Sequence, residues 1–167
     1  MCKAENNYAF IDSQNVNLGI RELGWRLDFQ KFRIYLKEKY DVQKAYIFIG
    51  YIPANNDLYL KLRDFGYILI FKPTVNNLRG IVKGNCDAEL VLHAMIEYPN
   101  YDRAIIATAD GDFQCLAKYL KEMNKLLKIV IPNQNRYSAL LKDVSTEENN
   151  FLDFMNTLER KLGATEK

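Results

Sequence analysis

Short apolar runs alternate with stretches of helical periodicity along the chain, and this alternation limits the possible folds more than any other feature. Runs at 8–12, 44–50, 67–71, 103–107 and 127–131 are rich in β-branched and aromatic residues, the pattern of strands covered on both faces. Apolar residues recur at helical spacing over 28–39, 55–65, 87–98 and 112–123, briefly over 138–142, and again over 150–162. Such a βα alternation requires parallel strands joined by right-handed crossovers, with helices on both faces of one sheet. The chain therefore reads as a three-layer α/β fold around a parallel sheet of about five strands. Its 167 residues, 49% of them hydrophobic, suffice for one full core, and no repeat or low-complexity tract divides them. We expect a single domain over 1–167.

Two segments stand apart from the regular pattern. The stretch 72–86 is the least regular and carries Lys72, Arg79 and Lys83; loops of that length are often functional. The C-terminal stretch 150–162 places Phe151, Phe154, Met155, Leu158 and Leu162 on one helical stripe. An amphipathic helix there must dock on its own sheet or on a second copy, so a homodimer is one expectation.

The remaining composition excludes several classes. A net charge of +2 does not by itself announce nucleic acid, although basic loops can still surround an acidic pocket. Cys2, Cys86 and Cys115 lie far apart, form no CxxC pair, and have only His93 to complete a zinc site, which fits reduced thiols. The first strand begins within a few residues of the N-terminus, leaving no room for a signal peptide. No apolar stretch approaches the roughly 20 residues of a membrane helix. The expectation is a soluble, cytoplasmic protein with no membrane partner.

Acidic residues gather where strands end. The run 101–109 empties into Asp110-Gly111-Asp112, the run 8–11 into Asp12-Ser13-Gln14-Asn15, and Asp87 opens a helix. On that helix the apolar stripe is Leu90, Val91, Ala94, Met95 and Tyr98. Asp87 lies one turn before it, which predicts an inward carboxylate, with Glu89 and His93 solvated. Asp112 precedes Leu116 by four residues and is predicted to face inward too. Open parallel sheets bind ligands beyond the carboxyl ends of their strands, at the point where strand order reverses. Periodicity alone allows several orders; in the order 3-2-1-4-5 the reversal falls between the strands that deliver Asp12 and Asp110.

Three or four carboxylates in one crevice repel one another unless a cation offsets the charge. An all-oxygen donor set suits Mg²⁺ or Mn²⁺. Such ions polarise a phosphoryl oxygen, activate a bound water and steady a leaving oxygen, which is the chemistry of phosphodiester hydrolysis. No Ser/His/Asp triad, P-loop or GxGxxG competes with that reading.

FIDSQN at the first strand exit, KGNCDAEL at the third helix, and IIATADGDFQCL at the fourth strand and helix resemble the three signature blocks of NYN domains, the LabA-like branch of the PIN-like nucleases. GYILIFKP and NFLDFMNTL are also similar to that family, so the resemblance spans most of the chain. It implies a PIN-like fold with strand order 3-2-1-4-5 and a Mg²⁺- or Mn²⁺-dependent ribonuclease acting on RNA, single strands preferred, or on single-stranded DNA. It also implies that Asp12, Asp87, Asp110 and Asp112 are both catalytic and metal-binding, that Asn15 orients a ligand or water, and that Thr108 fills a small hydroxyl position before the acids. Ala109 replaces a glycine often found between that hydroxyl and the first acid. Asn124 stands where a glycine commonly ends the fourth helix, a left-handed position that asparagine tolerates.

Each residue also suits a plainer role. Asp87, Asp110 and Asp112 fit helix caps or first-turn acids, Asn15 an Asx turn, and Thr108 a strand end. Lys72, Arg79, Lys83, Arg21, Arg26 and Arg136 fall in loops on the crevice side, where they would meet phosphates or only solvent. Trp25 and Tyr51 would stack on bases or pack in the core or at the rim. Cys86 and Cys115 read as small buried fillers. Three functions survive: a metal-dependent ribonuclease; a non-catalytic PIN-like module that binds nucleic acid or a protein; and a DNA nuclease or phosphatase on the same acids.

Overall fold

A parallel sheet is buried on both sides, so each strand sends successive side chains into opposite cores. The computed structural model describes residues 4–72, 75, 76, 82, 83 and 86–165. Six strands form the sheet: β1 (Asn7–Asp12), β2 (Val42–Gly50), β3 (Tyr67–Lys72), then, beyond a small antiparallel pair β4 (Val75–Asn76) and β5 (Val82–Lys83), β6 (Ala104–Ala107), β7 (Leu126–Ile131) and β8 (Leu152–Phe154). Their order is β3-β2-β1-β6-β7-β8, parallel throughout. Counted along the sheet's own strands this is 3-2-1-4-5-6, the expected order with one strand added at the edge.

The helices are α1 (Ser13–Glu22), α2 (Phe29–Tyr40), α3 (Asn56–Asp64), α4 (Asp87–Ile96), α5 (Gln114–Glu122), α6 (Ala139–Lys142) and α7 (Glu159–Leu162). On one face of the sheet Ile11, Ile47 and Ile105 share a core with Val16 and Ile20 of α1, Phe32 and Leu36 of α2, and Leu162 of α7. On the other, Phe10, Phe48 and Ile106 join Leu90 and Ala94 of α4, Leu116 and Leu120 of α5, and Leu141 of α6. The neighbours Phe10 and Ile11 thus enter different cores, as the two-residue period of a strand demands.

Three elements depart from the sequence reading. Helix α1 was not anticipated; its signal is Asp12 as cap followed by Val16 and Ile20 four residues apart, diluted by Asn15, Asn17 and Gly19. The helix expected over 112–123 starts as a 3₁₀ turn at Gly111–Phe113 and becomes α-helical at Gln114. The amphipathic helix expected over 150–162 does not form. Leu152–Phe154 instead adds to the sheet beside β7, and only Glu159–Leu162 is helical. An unpaired sheet edge offers a whole row of backbone donors and acceptors, and filling it outweighs a helical stripe of apolar residues. Asn124 holds the left-handed conformation after α5, with φ of 57°.

Candidate metal centre

Every strand of a parallel sheet ends at the same edge, so β1 and β6 deliver their exits side by side. Asp12 is the last residue of β1 and caps α1: one carboxylate oxygen accepts from the Asn15 backbone N–H at 3.3 Å. Its other oxygen accepts from the Thr108 hydroxyl at 3.3 Å. Thr108 is fully buried, and its Oγ1 also accepts from the Asp110 backbone N–H at 3.1 Å. Asn15 does not close a turn of its own; its side-chain oxygen accepts from the Ala109 N–H at 2.7 Å, tying α1 to the exit of β6. Two residues given plain local alternatives are therefore the cross-links that hold the two strand ends in register.

Asp110 caps the 3₁₀ turn, its Oδ1 accepting from the Asp112 N–H at 2.9 Å. The turn passes so close to the start of α6 that Gly111 has no room for a side chain: a Cβ there would sit 2.9 Å from the Ser138 Cβ. Asp87 is the first residue of α4, following Cys86, whose side chain makes no capping hydrogen bond. Asp87, Asp110 and Asp112 each offer a carboxylate oxygen, and these oxygens lie within 4.8 Å of one another. Asp12 is not in that triplet, but it lines the same pocket of about 240 Å³ as Asp87 and Asp110. Gln14, Cys86 and Gly50 also line the pocket and were not anticipated. The rule that ligands sit beyond strand carboxyl ends would have found Gly50, the last residue of β2.

The electrostatics follow from the depth of each acid. Burial, with the charges of Asp87 and Asp110 adding to it, pushes the Asp12 carboxyl up to about 6 against the two hydrogen bonds that favour its ionised form. Asp112 is exposed, contrary to the inward position expected from helical phase; the phase was counted along an α-helix that begins only two residues later. Burial also pushes the Cys86 thiol up to about 11, with Glu89 and Asp12 charges reinforcing it, so Cys86 is protonated at neutral pH and is no nucleophile.

The basic residues divide. Lys72, at the end of β3, lies 3.8 Å from the Glu89 carboxylate, whose Oε2 is buried. Glu89 is therefore half-shielded at the rim of the site rather than solvated as expected. Arg79 lies outside the described residues, and of Lys83 only its backbone place in β5 is described. Arg136 pairs with Glu22 at 2.9 Å, and Arg21 and Arg26 are exposed. Trp25 is a core residue. His93 is half-buried, its ring 5.8 Å from that of Phe48, and Cys115 is exposed, both unlike the sequence expectation.

The acids that converge in this crevice offer carboxylate oxygens, and burial already disfavours the charge on Asp12 beside them. That combination fits a hard divalent cation of the Mg²⁺ or Mn²⁺ kind. No helix among the described residues is long and apolar enough to cross a membrane. The family model of the NYN domain matches residues 8–148, a span that contains all four acids. Among solved structures, the fold is similar to a protein of unknown function from Vibrio parahaemolyticus, at 25% identity and a TM-score of 0.68, covering 86% of this chain and 91% of the other. No curated protein sequence matches the chain.

Proposed function

Because the chain belongs to the NYN domain family, a PIN-like nuclease fold, we propose that it is a metal-dependent endoribonuclease that hydrolyses single-stranded RNA. The observation that carries this reading is the convergence of the Asp87, Asp110 and Asp112 carboxylate oxygens within 4.8 Å at the strand exits, with Asp12 in the same pocket. A bound Mg²⁺ or Mn²⁺ would supply charge stabilisation at the phosphoryl group and a water acidic enough to attack it.

The chain's own residues divide the remaining work. Asp87, Asp110 and Asp112, with Asp12 beside them, would hold the cation. Asp12 and Asp110 each spend one or more lone pairs on fixed backbone or hydroxyl donors, so their carboxylates are oriented before any ligand arrives. Thr108 sets the distance between them by donating to one and accepting beside the other. Asn15 spends its oxygen on Ala109, which aims its amide N–H groups at a phosphate or water. Lys72 stands at the adjoining strand end as a cation for the substrate backbone, and Arg79 and Lys83 are assigned the same role from their place in the chain.

The reading is tested by incubating labelled single-stranded RNA and single-stranded DNA with the protein, with Mn²⁺ or with chelator, beside Asp112→Asn. Metal-dependent cleavage of RNA that the substitution abolishes is the expected result. Cleavage untouched by the substitution, or RNA binding without cleavage by either protein, overturns it. Equal cleavage of DNA moves the substrate class.

A further inference from the structure

We propose that a second cleft, near the acid pocket on the same edge of the sheet, is a stacking subsite for a base of the nucleic-acid strand whose phosphate a cation on the acids would bind. This rests on the nuclease reading of that pocket. The cleft, of about 350 Å³, is lined by Tyr51, Asn56, Tyr59, Leu60, Arg63 and Phe71.

Its position follows from strand register. Asp12 pairs with Phe48, and Phe48 with Ile70, so Phe71 stands one residue beyond the level of Asp12 and two strands away. At a strand spacing of about 4.8 Å that is a lateral step of about 10 Å. Gly50 lines the acid pocket and the next residue, Tyr51, lines the second cleft, so the chain leaving β2 separates the two. On the neighbouring strand Phe71 lines the cleft, while Lys72, next to it and on the opposite face of the sheet, lies 3.8 Å from Glu89 at the rim of the acid site. A single strand leaving the acids toward β3 would cross the turn after β2 to reach the cleft.

The chemistry of the cleft is that of base stacking. Tyr59 is its floor: 3% exposed, it donates to the Gly50 carbonyl at 3.1 Å and accepts from the Ile52 N–H at 2.9 Å, so its place is fixed by the backbone of the turn after β2. Phe71 stands edge-on to it at 4.8 Å between centroids, and Tyr51 stands edge-on to Phe71 at 5.5 Å. Tyr51 lies near-parallel to the Tyr59 ring at 6.0 Å and still keeps 40% of its surface exposed to solvent. The Arg63 guanidinium lies 5.9 Å over the Phe71 ring, adding a cation where a base would stack and a phosphate would follow. Asn56, at the first position of α3, places an amide on the same cleft, suited to a base edge. Stacking faces with one cation and one amide favour a nucleobase over the apolar side chain of a protein partner.

The test is binding, read apart from cleavage. A short fluorescein-labelled oligoadenylate and its abasic counterpart are titrated into chelator-treated protein at low salt, followed by anisotropy. The wild type should prefer the base-bearing strand, and Tyr51→Ala should weaken that strand by roughly tenfold or more while leaving the abasic strand little changed. Tyr51→Trp should retain the affinity, and the emission of the introduced indole should be quenched by the base-bearing strand alone; this keeps the test decisive should the alanine variant fold poorly. Equal affinity of wild type and Tyr51→Ala for the oligoadenylate, no preference over the abasic strand, or no binding by the wild type overturns the subsite. Base-dependent binding that Tyr51→Ala removes, in a protein that cleaves nothing with Mn²⁺, upholds the subsite and overturns the nuclease reading alone.

Discussion

Asp12 carries a conflict, since burial works against its charge yet it must be ionised to hold a cation. Raised from an ordinary 3.8 to about 6, it favours the folded state when protonated, and that contribution is complete below about pH 4 and lost as pH rises through 6. Asp12→Asn removes the conflict. In chelator the variant should be more stable than the wild type by roughly 1–3 kcal/mol at neutral pH, with the difference growing between about pH 4 and about pH 6 and level above it. Urea denaturation across that range checks it, and a constant difference would show that burial of this carboxylate costs nothing. Asp112 presents the opposite case. Being exposed, Asp112→Asn should shift stability by no more than about 0.5 kcal/mol while cleavage falls at least tenfold, so a melting curve beside an RNA cleavage assay separates the two acids. Sequence placed both residues at strand exits and predicted Asp112 to face inward, whereas it is exposed. The helical phase that ranked Asp112 as inward needed the start of α5 to within a residue, and a 3₁₀ turn of three residues defeated it.

Elements rather than residues decide how firmly the acids are held. The Asp110–Asp112 turn lies against α6, and Gly111 is the point of contact. Gly111→Ala drives a methyl into the Ser138 side chain, which should destabilise the protein by roughly 1–3 kcal/mol and lower cleavage by displacing the two flanking acids, measurable by denaturation and by Mn²⁺-dependent turnover. At the far edge, β8 is tied to α2 through Asp153, which accepts from Lys39 at 2.7 Å and from the Tyr40 hydroxyl. Partial burial works against the charge of Asp153, yet these hydrogen bonds hold its carboxyl below the ordinary range. A depressed carboxylate stabilises the fold above its unfolded pKa and loses that contribution as pH falls through the folded value. Asp153→Asn should therefore cost about 1 kcal/mol near neutrality, discounted for its partial exposure, and less at about pH 3. Urea midpoints at the two pH values decide it. This strand was invisible in the sequence because Phe151, Phe154, Met155, Leu158 and Leu162 fit a helical stripe while only three residues pair with β7. The Asn150 side-chain oxygen, accepting from the Leu152 N–H at 3.0 Å, starts the strand instead of a helix, a local choice that periodicity does not encode.

At the scale of the whole molecule, the parallel sheet is what converts scattered acids into one centre. Residues 12, 87 and 110–112 are far apart in the chain, yet right-handed crossovers return each strand in the same direction and leave the exits on one edge. That was legible in the βα alternation, together with the position of the crevice, because strand direction and crossover hand are set by physics common to all such folds. Strand order was not, and neither was the second cleft, since both depend on which neighbours pair. The same convergence predicts how the molecule responds to its cation. Carboxylates gathered by folding are dispersed in the unfolded chain, so a cation that needs several at once binds the native state alone and raises its stability by RT ln(1 + [M]/Kd), about 2.7 kcal/mol at one hundred times Kd. For a chain of this size, Mn²⁺ should raise Tm by several degrees, reversibly with chelator. Asp110→Asn should abolish the rise without much change in the chelated Tm, because an asparagine oxygen still caps the turn. Thermal melts with Mn²⁺, Mg²⁺ and chelator measure all three. An equal rise in the variant would place the ion elsewhere, and no rise in the wild type would show that the acids meet without holding one.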